Sequence, residues 1–353
     1  MSPTTPPLSP AGIARRGRSG SGTARFAVVA GAFVLALTAC GGSPSGSSPS
    51  GASSGAGSGS ATSVATGQQT FPVTVKGAKG PVTIASAPKA VVSLGPSLTE
   101  MLFAIGAGGQ VKAVDDQSTY PAQAPRTKLS GFQPNAEAVA GYQPDLVVLS
   151  NDSFGLVAAL TALKIPVLEL PAPASVEESL EQQKTLGVAT GHADDAARVA
   201  DTTRRRIDAA IASVPKTAAP LKIYHEIDQT YYSVTSKTFL GGLYARFGLT
   251  NIADAAPKAA ASGGYPQLSA EYVVSARPDL IVLADGRCCQ QSPEIVAKRP
   301  AFGTVPAVTN GKVIAVDDDI ASRWGPRVAD FAETVARVLG GTAPAGSQSP
   351  AAS

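Results

Sequence analysis

The stretch EAVAGYQPDLVVL (137–149) returns as EYVVSARPDLIVL (271–283), 134 residues further along the chain. Each copy reads as a short helix that stops before a proline, followed by an apolar run rich in β-branched residues. Such a run is typical of a strand that is covered on both faces, as in a parallel sheet. The repeat therefore predicts two related lobes, each built around its own parallel sheet.

Further strand and helix patterns surround both copies of the repeat. Their alternation predicts an α/β fold with a doubly wound parallel sheet in each lobe. After the first strand, Ser97 stands at a helix N-cap position and Glu100 at the capping-box position. Strand patterns occupy 90–94, 111–114, 146–149 and 167–170 in the first lobe and 221–224, 280–283 and 313–316 in the second, and helical patterns occupy 97–105, 238–247 and 326–339.

A long helical pattern separates the two lobes. Residues 192–214 carry apolar side chains at helical spacing, contain no proline or glycine, and would span about 35 Å. We expect a single long helix that joins the lobes stiffly and permits only a small hinge motion. The predicted boundaries are a signal peptide at 1–39, a lipidated cysteine and tether at 40–69, a first lobe at 70–190, the spanning helix at 191–215, a second lobe at 216–340 and a disordered tail at 341–353.

The first forty residues carry an export signal. Four arginines precede an apolar run at 26–37, and small residues then lead to Cys40. A basic segment, a short apolar segment and small residues form a secretory signal that is too short for a permanent membrane span. The position of Cys40 resembles the lipobox of bacterial lipoproteins, which implies that this cysteine is acylated. Of the 29 residues from 41 to 69, 26 are Gly, Ser, Pro, Ala or Thr, which predicts a flexible tether.

The charge balance argues against nucleic acid as a partner. The chain has 29 Lys and Arg against 26 Asp and Glu. Residues 1–39 contain four of the arginines and no acid, so the mature chain carries 25 basic against 26 acidic side chains. The basic character therefore belongs to the export signal.

Cys288 and Cys289 are the remaining cysteines, and they are adjacent. Outside the cell they could form a vicinal disulfide, or they could stay as two reduced thiols. The chain has only two histidines, His192 and His225, which is too few for a structural zinc site or for a Zn or Mn cargo. No nucleophile elbow, phosphate loop or dinucleotide fingerprint follows a strand, so we do not expect an enzyme or a resident cofactor.

These features together resemble one family, the substrate-binding lipoproteins of ABC importers for cobalamin, haem and ferric siderophores. The resemblance rests on VVSLGPSLTE (91–100), on both repeat segments and on RWGPR (323–327). It implies the class III fold, in which a helix joins the two lobes, and a monomer that binds an importer permease. In this family an acidic residue on each lobe pairs with permease arginines, and Glu137 and Glu271 match those positions.

The resemblance and the fold together place a ligand in the groove between the lobes, at the loops that follow the strands. Trp324, the only tryptophan, is the strongest candidate for stacking on the ligand. Arg287 or Arg323 could pair with an anionic chelate, and His225 or Tyr265 could ligate iron. The candidate ligand-binding residues are Ser97, Phe132, Glu226, Tyr231, Tyr265, Arg287, Cys288, Cys289, Arg323 and Trp324.

The ligand class stays open at this stage. Haem binders of the family often place a tyrosine, and cobalamin binders a tryptophan, in the region where this chain has Phe132. A ferric siderophore is therefore the first expectation, with cobalamin or haem as the alternatives. A lipoprotein that kept the fold but serves as a surface scaffold is a further alternative.

Overall fold

The computed structural model describes residues 69–257 and 259–341. The predicted signal peptide, Cys40, nearly all of the tether and the tail lie outside these residues. Within them no helix is both long enough and apolar enough to cross a membrane.

Each lobe contains a four-stranded parallel sheet, as the repeat predicts. The first lobe also has an antiparallel hairpin formed by its two opening strands, and its sheet has the order β4-β3-β5-β6. The second sheet has the order β10-β9-β7-β8. The strands are β1 (Val73–Gly77), β2 (Gly80–Ile84), β3 (Val91–Leu94), β4 (Val111–Val114), β5 (Leu146–Leu149), β6 (Val167–Glu169), β7 (Lys222–Glu226), β8 (Thr250–Asn251), β9 (Leu280–Leu283) and β10 (Val313–Ala315).

Helices cover both faces of the sheets. Most apolar strand residues have almost no exposed surface, as expected for sheets that are covered on both sides. The helices are α1 (Pro96–Ala104), α2 (Ala136–Ala140), α3 (Leu156–Ala162), α4 (Val176–Thr190), α5 (Ala193–Ala212), α6 (Phe239–Arg246), α7 (Ala270–Ala276), α8 (Gly286–Cys289), α9 (Pro293–Ala297), α10 (Pro306–Thr309), α11 (Asp318–Ser322) and α12 (Val328–Leu339).

The Pro-Asp pair of the repeat has a structural role in both lobes. The carboxylate of Asp145 accepts hydrogen bonds from the backbone N–H groups of Lys89 and Ala90, just before β3. The carboxylate of Asp279 accepts one from the backbone N–H of Lys222, at the start of β7. Each aspartate thus ties the start of its own strand to the start of the neighbouring strand. This explains why the dipeptide recurs with the strand that follows it.

Two long helices, rather than α5 alone, contact the cores of both lobes. Leu186 of α4 and Ala196 of α5 lie in the core of the first lobe. Leu180 of α4 and Ile207 of α5 lie in the core of the second lobe. At Gly187, a Cβ atom would lie 2.3 Å from that of Ala196, so the close approach of the two helices requires glycine. The sequence predicted the path of α5 but not the presence of α4.

The predicted capping box at the start of α1 is wrong. Gly95 occupies the N-cap position and no side chain caps this helix. Ser97 lies inside the first turn and is buried, and Glu100 is also buried, with 3% of its surface exposed. Both side chains point to partners in the second lobe, which the local sequence does not reveal.

An ion-pair cluster, the interlobe clamp, joins Glu100 of α1 to Arg323 and Arg327, which lie just before α12. Glu100 Oε1 accepts from Arg323 Nη1 at 3.1 Å and also from Arg327 Nη2, and its Oε2 accepts from Arg327 Nε at 3.0 Å. Arg323 also donates to the backbone oxygen of Gln117 at 3.1 Å and to Thr119 Oγ1 at 3.0 Å, both in the first lobe. One carboxylate therefore pairs with two guanidinium groups at the lobe boundary.

Residues next to the clamp make further contacts between the two lobes. The backbone N–H of Trp324 donates to Ser97 Oγ at 3.1 Å, and the hydroxyl of Ser179 donates to the Trp324 carbonyl. At Gly325, a Cβ atom would lie 2.9 Å from Glu100 Oε2. The guanidinium of Arg327 lies 4.0 Å from the ring centre of Tyr120. The RWGPR segment is thus explained as the part of the second lobe that binds the first.

Removing the clamp carboxylate should destabilise the protein strongly. We expect Glu100→Ala to lower the free energy of unfolding by about 3–5 kcal/mol, because Arg323 and Arg327 would lose the buried carboxylate that they share at the lobe boundary. Urea unfolding followed by circular dichroism measures this loss. The control is Glu181→Ala on α4, whose ion pair with Lys184 is exposed and should contribute less than about 1 kcal/mol. Equal losses in both variants would show that the clamp does not hold the lobes together.

Candidate ligand-binding groove

A cavity of about 400 Å³ lies between the lobes. The first lobe contributes the segment after β6, and the second contributes the loops after β7 and β9 and the segment that ends at Trp324. Most lining residues are apolar, which is typical of a pocket for an organic ligand. They include Ala172, Pro173, Ala174, His225, Ile227, Val234, Phe239, Leu240, Tyr265, Ala284, Ala321 and Trp324.

His225 is the most deeply buried titratable side chain of this cavity. Only 1% of its surface is exposed, and its Nδ1 lies 2.8 Å from the hydroxyl of Tyr244. Burial lowers the pKa of His225 to about 4, because a charged imidazole would lose its hydration. The ring is therefore neutral at physiological pH. Among the described residues no group of three or more His, Cys, Asp or Glu side chains could hold a metal ion.

Two predicted aromatic residues line the cavity. Tyr265 is about half exposed, and Trp324 is partly buried against the core of the first lobe. The indole Nε1 of Trp324 is buried and has no hydrogen-bond partner among the described residues. A buried indole N–H usually has a hydrogen-bond partner, so this unpaired group is unusual.

Further exposed aromatic side chains lie in loops at the carboxyl ends of strands. Phe132 is 73% exposed and follows the bridge that joins Asp115 to Leu129. Phe154 is 79% exposed and follows β5, and its φ of 59° is unusual for a residue other than glycine. Tyr232 follows β7 and is also exposed. The sequence analysis missed Phe154, although a large apolar residue in a polar loop just after a strand is a usable signal.

Cys288 and Cys289 form a disulfide within the short helix α8, which resolves the two alternatives that the sequence left open. Asp318 of α11 accepts from the backbone N–H groups of Arg287 and Cys288. The guanidinium of Arg287 is exposed and lies 3.2 Å from Asp319 Oδ2. The disulfide turn is thus held against α11 by acidic side chains.

Glu226 belongs to a cluster with Tyr224 and Arg299 in the second lobe. Its carboxylate accepts from Arg299 at 2.5 and 2.6 Å and from the Tyr224 hydroxyl at 3.0 Å. The guanidinium of Arg299 also lies 5.3 Å from the ring centre of Tyr231, and that ring stacks on Phe302. Glu226 and Tyr231 therefore both pack on Arg299 within the second lobe, and Glu226 is fully buried.

Asp285 is a further buried carboxyl group near this cluster. Its side chain is fully buried, and both carboxylate oxygens lack a hydrogen-bond donor among the described residues. Burial, and then the negative charge of Glu226, raise the pKa of Asp285 to about 7. Both causes favour the neutral, protonated form of Asp285 over the charged form.

The structure separates the candidate ligand residues by position. Tyr265, Arg323 and Trp324 line the cavity, and Arg323 is at the same time bound in the clamp. Ser97 is buried in the contact with Trp324, and Glu226 is buried with Arg299. Arg287, Cys288 and Cys289 lie beside α11, and Phe132 is exposed on the first lobe. Their roles in ligand binding stay predictions.

The fold and the groove define the class of protein. Residues 91–320 match the model of the periplasmic binding protein family, and the chain belongs to this family. A cobalamin-binding protein of Halobacterium salinarum is 32% identical over 271 residues, which cover 74% of this chain and 72% of the relative. The uncharacterized ABC transporter substrate-binding lipoprotein YvrC of Bacillus subtilis is 30% identical over 285 residues, which cover 77% of this chain and 86% of the relative.

Solved structures share the fold. The periplasmic haem-binding protein RhuT of Roseiflexus sp. RS-1 superimposes with a TM-score of 0.61 at 22% identity, over 72% of this chain and 98% of that one. A possible iron-binding solute-binding protein of Staphylococcus epidermidis gives the same TM-score at 24% identity, over 72% of this chain and 99% of that one. At these identities the likeness concerns the two-lobed fold alone.

The buried Asp285 should make stability depend on pH. Between about pH 4 and 7 the folded protein holds a proton on Asp285 that the unfolded chain has lost, so this contribution to stability falls as pH rises through that window. Asp285→Asn resembles the protonated form and removes the effect. We expect the variant to be about as stable as the wild type at pH 5 and about 1–3 kcal/mol more stable at pH 8.

Urea unfolding at pH 5, 6.5 and 8 measures this difference. Asp201→Asn is the control, because Asp201 is exposed on α5 and its replacement should leave the pH dependence unchanged. A difference between the Asp285→Asn variant and the wild type that is constant across the three pH values would contradict the raised pKa of Asp285.

Proposed function

We propose that this protein is an extracytoplasmic binding lipoprotein that captures cobalamin and delivers it to an ABC importer. The observation that carries the proposal is the groove, whose mostly apolar cavity has the aromatic side chains of Phe239, Tyr265 and Trp324 in its lining. Aromatic faces suit a large, flat macrocycle. The relatives named as cobalamin-binding proteins support the same choice.

The charges at the groove favour cobalamin over an anionic chelate. Arg323 pairs with Glu100 and Asp319, and Arg287 pairs with Asp317 and Asp319. Lys237 is the remaining cation of the cavity lining, and Asp318 in the same lining carries the opposite charge. Anionic ferric siderophores and the haem propionates need several free cations, whereas the corrin rim of cobalamin carries neutral carboxamides. The ferric siderophore, which the sequence placed first, therefore becomes the alternative, together with haem.

Glu137 and Glu271 are the proposed docking residues for the permease. They stand in the first turns of α2 and α7, the equivalent helices of the two lobes, and both are exposed. Helix N-terminal hydrogen bonds and the hydroxyl of Ser269 lower the pKa of Glu271, so that this carboxylate stays charged. Two carboxylates, one on each lobe, can pair with arginines at two separate points.

The anchor belongs to the same proposal. Cys40 would carry the lipid, and residues 41–69 would tether the lobes to the membrane surface. The lipoprotein name of the Bacillus subtilis relative supports this arrangement. A lipid anchor would keep the protein near its permease, which raises the effective concentration for docking.

Ligand binding tests the proposed function directly. We expect cyanocobalamin to bind with micromolar or higher affinity by calorimetry, and to bind more tightly than ferrioxamine B or haemin. Trp324→Ala should weaken cobalamin binding by about 5- to 150-fold, the loss expected for one aromatic stacking contact. Tyr142→Ala is the control, because Tyr142 precedes β5 and thus lies at the opposite end of the sheet from the groove. Tighter binding of ferrioxamine B or haemin would replace cobalamin as the proposed ligand.

Charge reversal tests docking. Glu137→Arg combined with Glu271→Arg should abolish cobalamin uptake in cells that depend on this protein, because like charges would then face the permease arginines. Calorimetry on the purified variant should show unchanged ligand affinity. Glu177→Arg combined with Glu181→Arg on α4 changes the net charge equally and should leave uptake normal. Normal uptake by the docking variant would reject the role of Glu137 and Glu271.

A further inference from the structure

His225 has two different environments at its two ring nitrogens. It stands on β7 beside Val282 of β9, and its ring is almost fully buried while lining the cavity. Its Nδ1 lies 2.8 Å from the hydroxyl of Tyr244, which is itself buried in the core of the second lobe. The Nδ1 edge therefore faces the core, which leaves Nε2 as the ring nitrogen that is available to the cavity. Among the described residues Nε2 has no hydrogen-bond partner.

The hydroxyl of Tyr244 determines which nitrogen carries the proton. This hydroxyl forms no other hydrogen bond within the described part of the chain. If Nδ1 carried the proton, the buried O–H of Tyr244 would have no acceptor, which costs about 1–3 kcal/mol. If Tyr244 donates to Nδ1, both groups are satisfied and Nε2 keeps its proton. The hydrogen-bond network thus assigns the Nε2–H tautomer to His225.

We propose that the Nε2–H of His225 donates a hydrogen bond to a neutral carbonyl oxygen of the bound ligand. The surrounding cavity is mostly apolar, so a ligand oxygen that enters it needs a donor there. Lys237 and Asp318 also line the cavity and carry opposite charges, so neither sign of ligand charge is favoured. For the identity of the ligand this inference rests on the proposed function, since the cobalamin rim carries carboxamides.

The same tautomer argues against iron ligation by His225, which the sequence left open. Metal binding needs a lone pair, and the nitrogen that is available to the cavity carries a proton instead. Tyr244 is therefore a positioning residue, which acts on the ligand only through the imidazole.

Binding of cyanocobalamin to the full-length protein tests the donor. We expect His225→Phe to weaken binding by about 10- to 100-fold, because a ligand oxygen would be buried without a partner. His225→Gln keeps an N–H donor and should lose no more than about fivefold. His192→Gln is the matched control, because His192 is the only other histidine and lies at the start of α5 against Gln110.

Nitrogen-15 NMR tests the tautomer independently of affinity. In the His192→Gln variant a single imidazole remains, and long-range proton–nitrogen correlations distinguish its two nitrogens. We expect Nε2 to be protonated between pH 5 and 8, and its N–H resonance to shift when cyanocobalamin is added. Tyr244→Phe removes the acceptor requirement and should give a mixture of both tautomers, with affinity between those of the wild type and His225→Phe.

The outcomes separate the inference from the proposed function. Cyanocobalamin binding that is equally tight in the wild type and in His225→Phe, or a proton found on Nδ1, overturns the role of His225. If the wild type binds haemin or ferrioxamine B but not cyanocobalamin, the proposed ligand is wrong, and the role of His225 is decided by the same variants with that probe. A protein that binds none of the three overturns both.

Discussion

The carboxylate of Glu100 is the constraint on which the arrangement of the lobes depends. It is buried, so it must keep its two guanidinium partners, and both partners come from the other lobe. Position 325 requires glycine because a Cβ atom there would lie too close to this carboxylate. Trp324 is held by its backbone bonds to Ser97 and Ser179 on the first lobe. The same contacts that close the lobe boundary therefore place an indole ring in the wall of the cavity.

A second consequence concerns the chemistry of the groove. The arginines that could attract an anion are already paired, one within the clamp and one on the acidic segment around α11. The cavity lining then presents aromatic side chains, the neutral imidazole of His225 and the opposite charges of Lys237 and Asp318. Such a surface recognises shape and neutral polar groups more than charge. These features support the proposal of a corrinoid ligand.

The sequence predicted the architecture well, because strands and helices follow from local patterns. The repeat predicted β5 and β9. The helical spacing of apolar residues at 192–214 predicted α5 to within two residues at each end. Partners far apart in sequence were not predictable. The sequence around Glu100 predicts a local cap, although its partners lie 223 and 227 residues away. The pairing of Arg323 within the clamp was not predictable for the same reason. Helix α4 was missed because it is polar for much of its length, and Phe154 because a loop has no periodic pattern.

The separation of the clamp residues along the chain also bears on how the protein reaches its native state. An exported chain emerges from its N-terminus, so Glu100 arrives long before Arg323 and Arg327. Until the last residues have emerged, the first lobe must leave this carboxylate in water or bury it without a partner, which is strongly unfavourable. The first lobe therefore cannot complete its packing alone, and the two lobes should acquire their final structure together as one cooperative folding event.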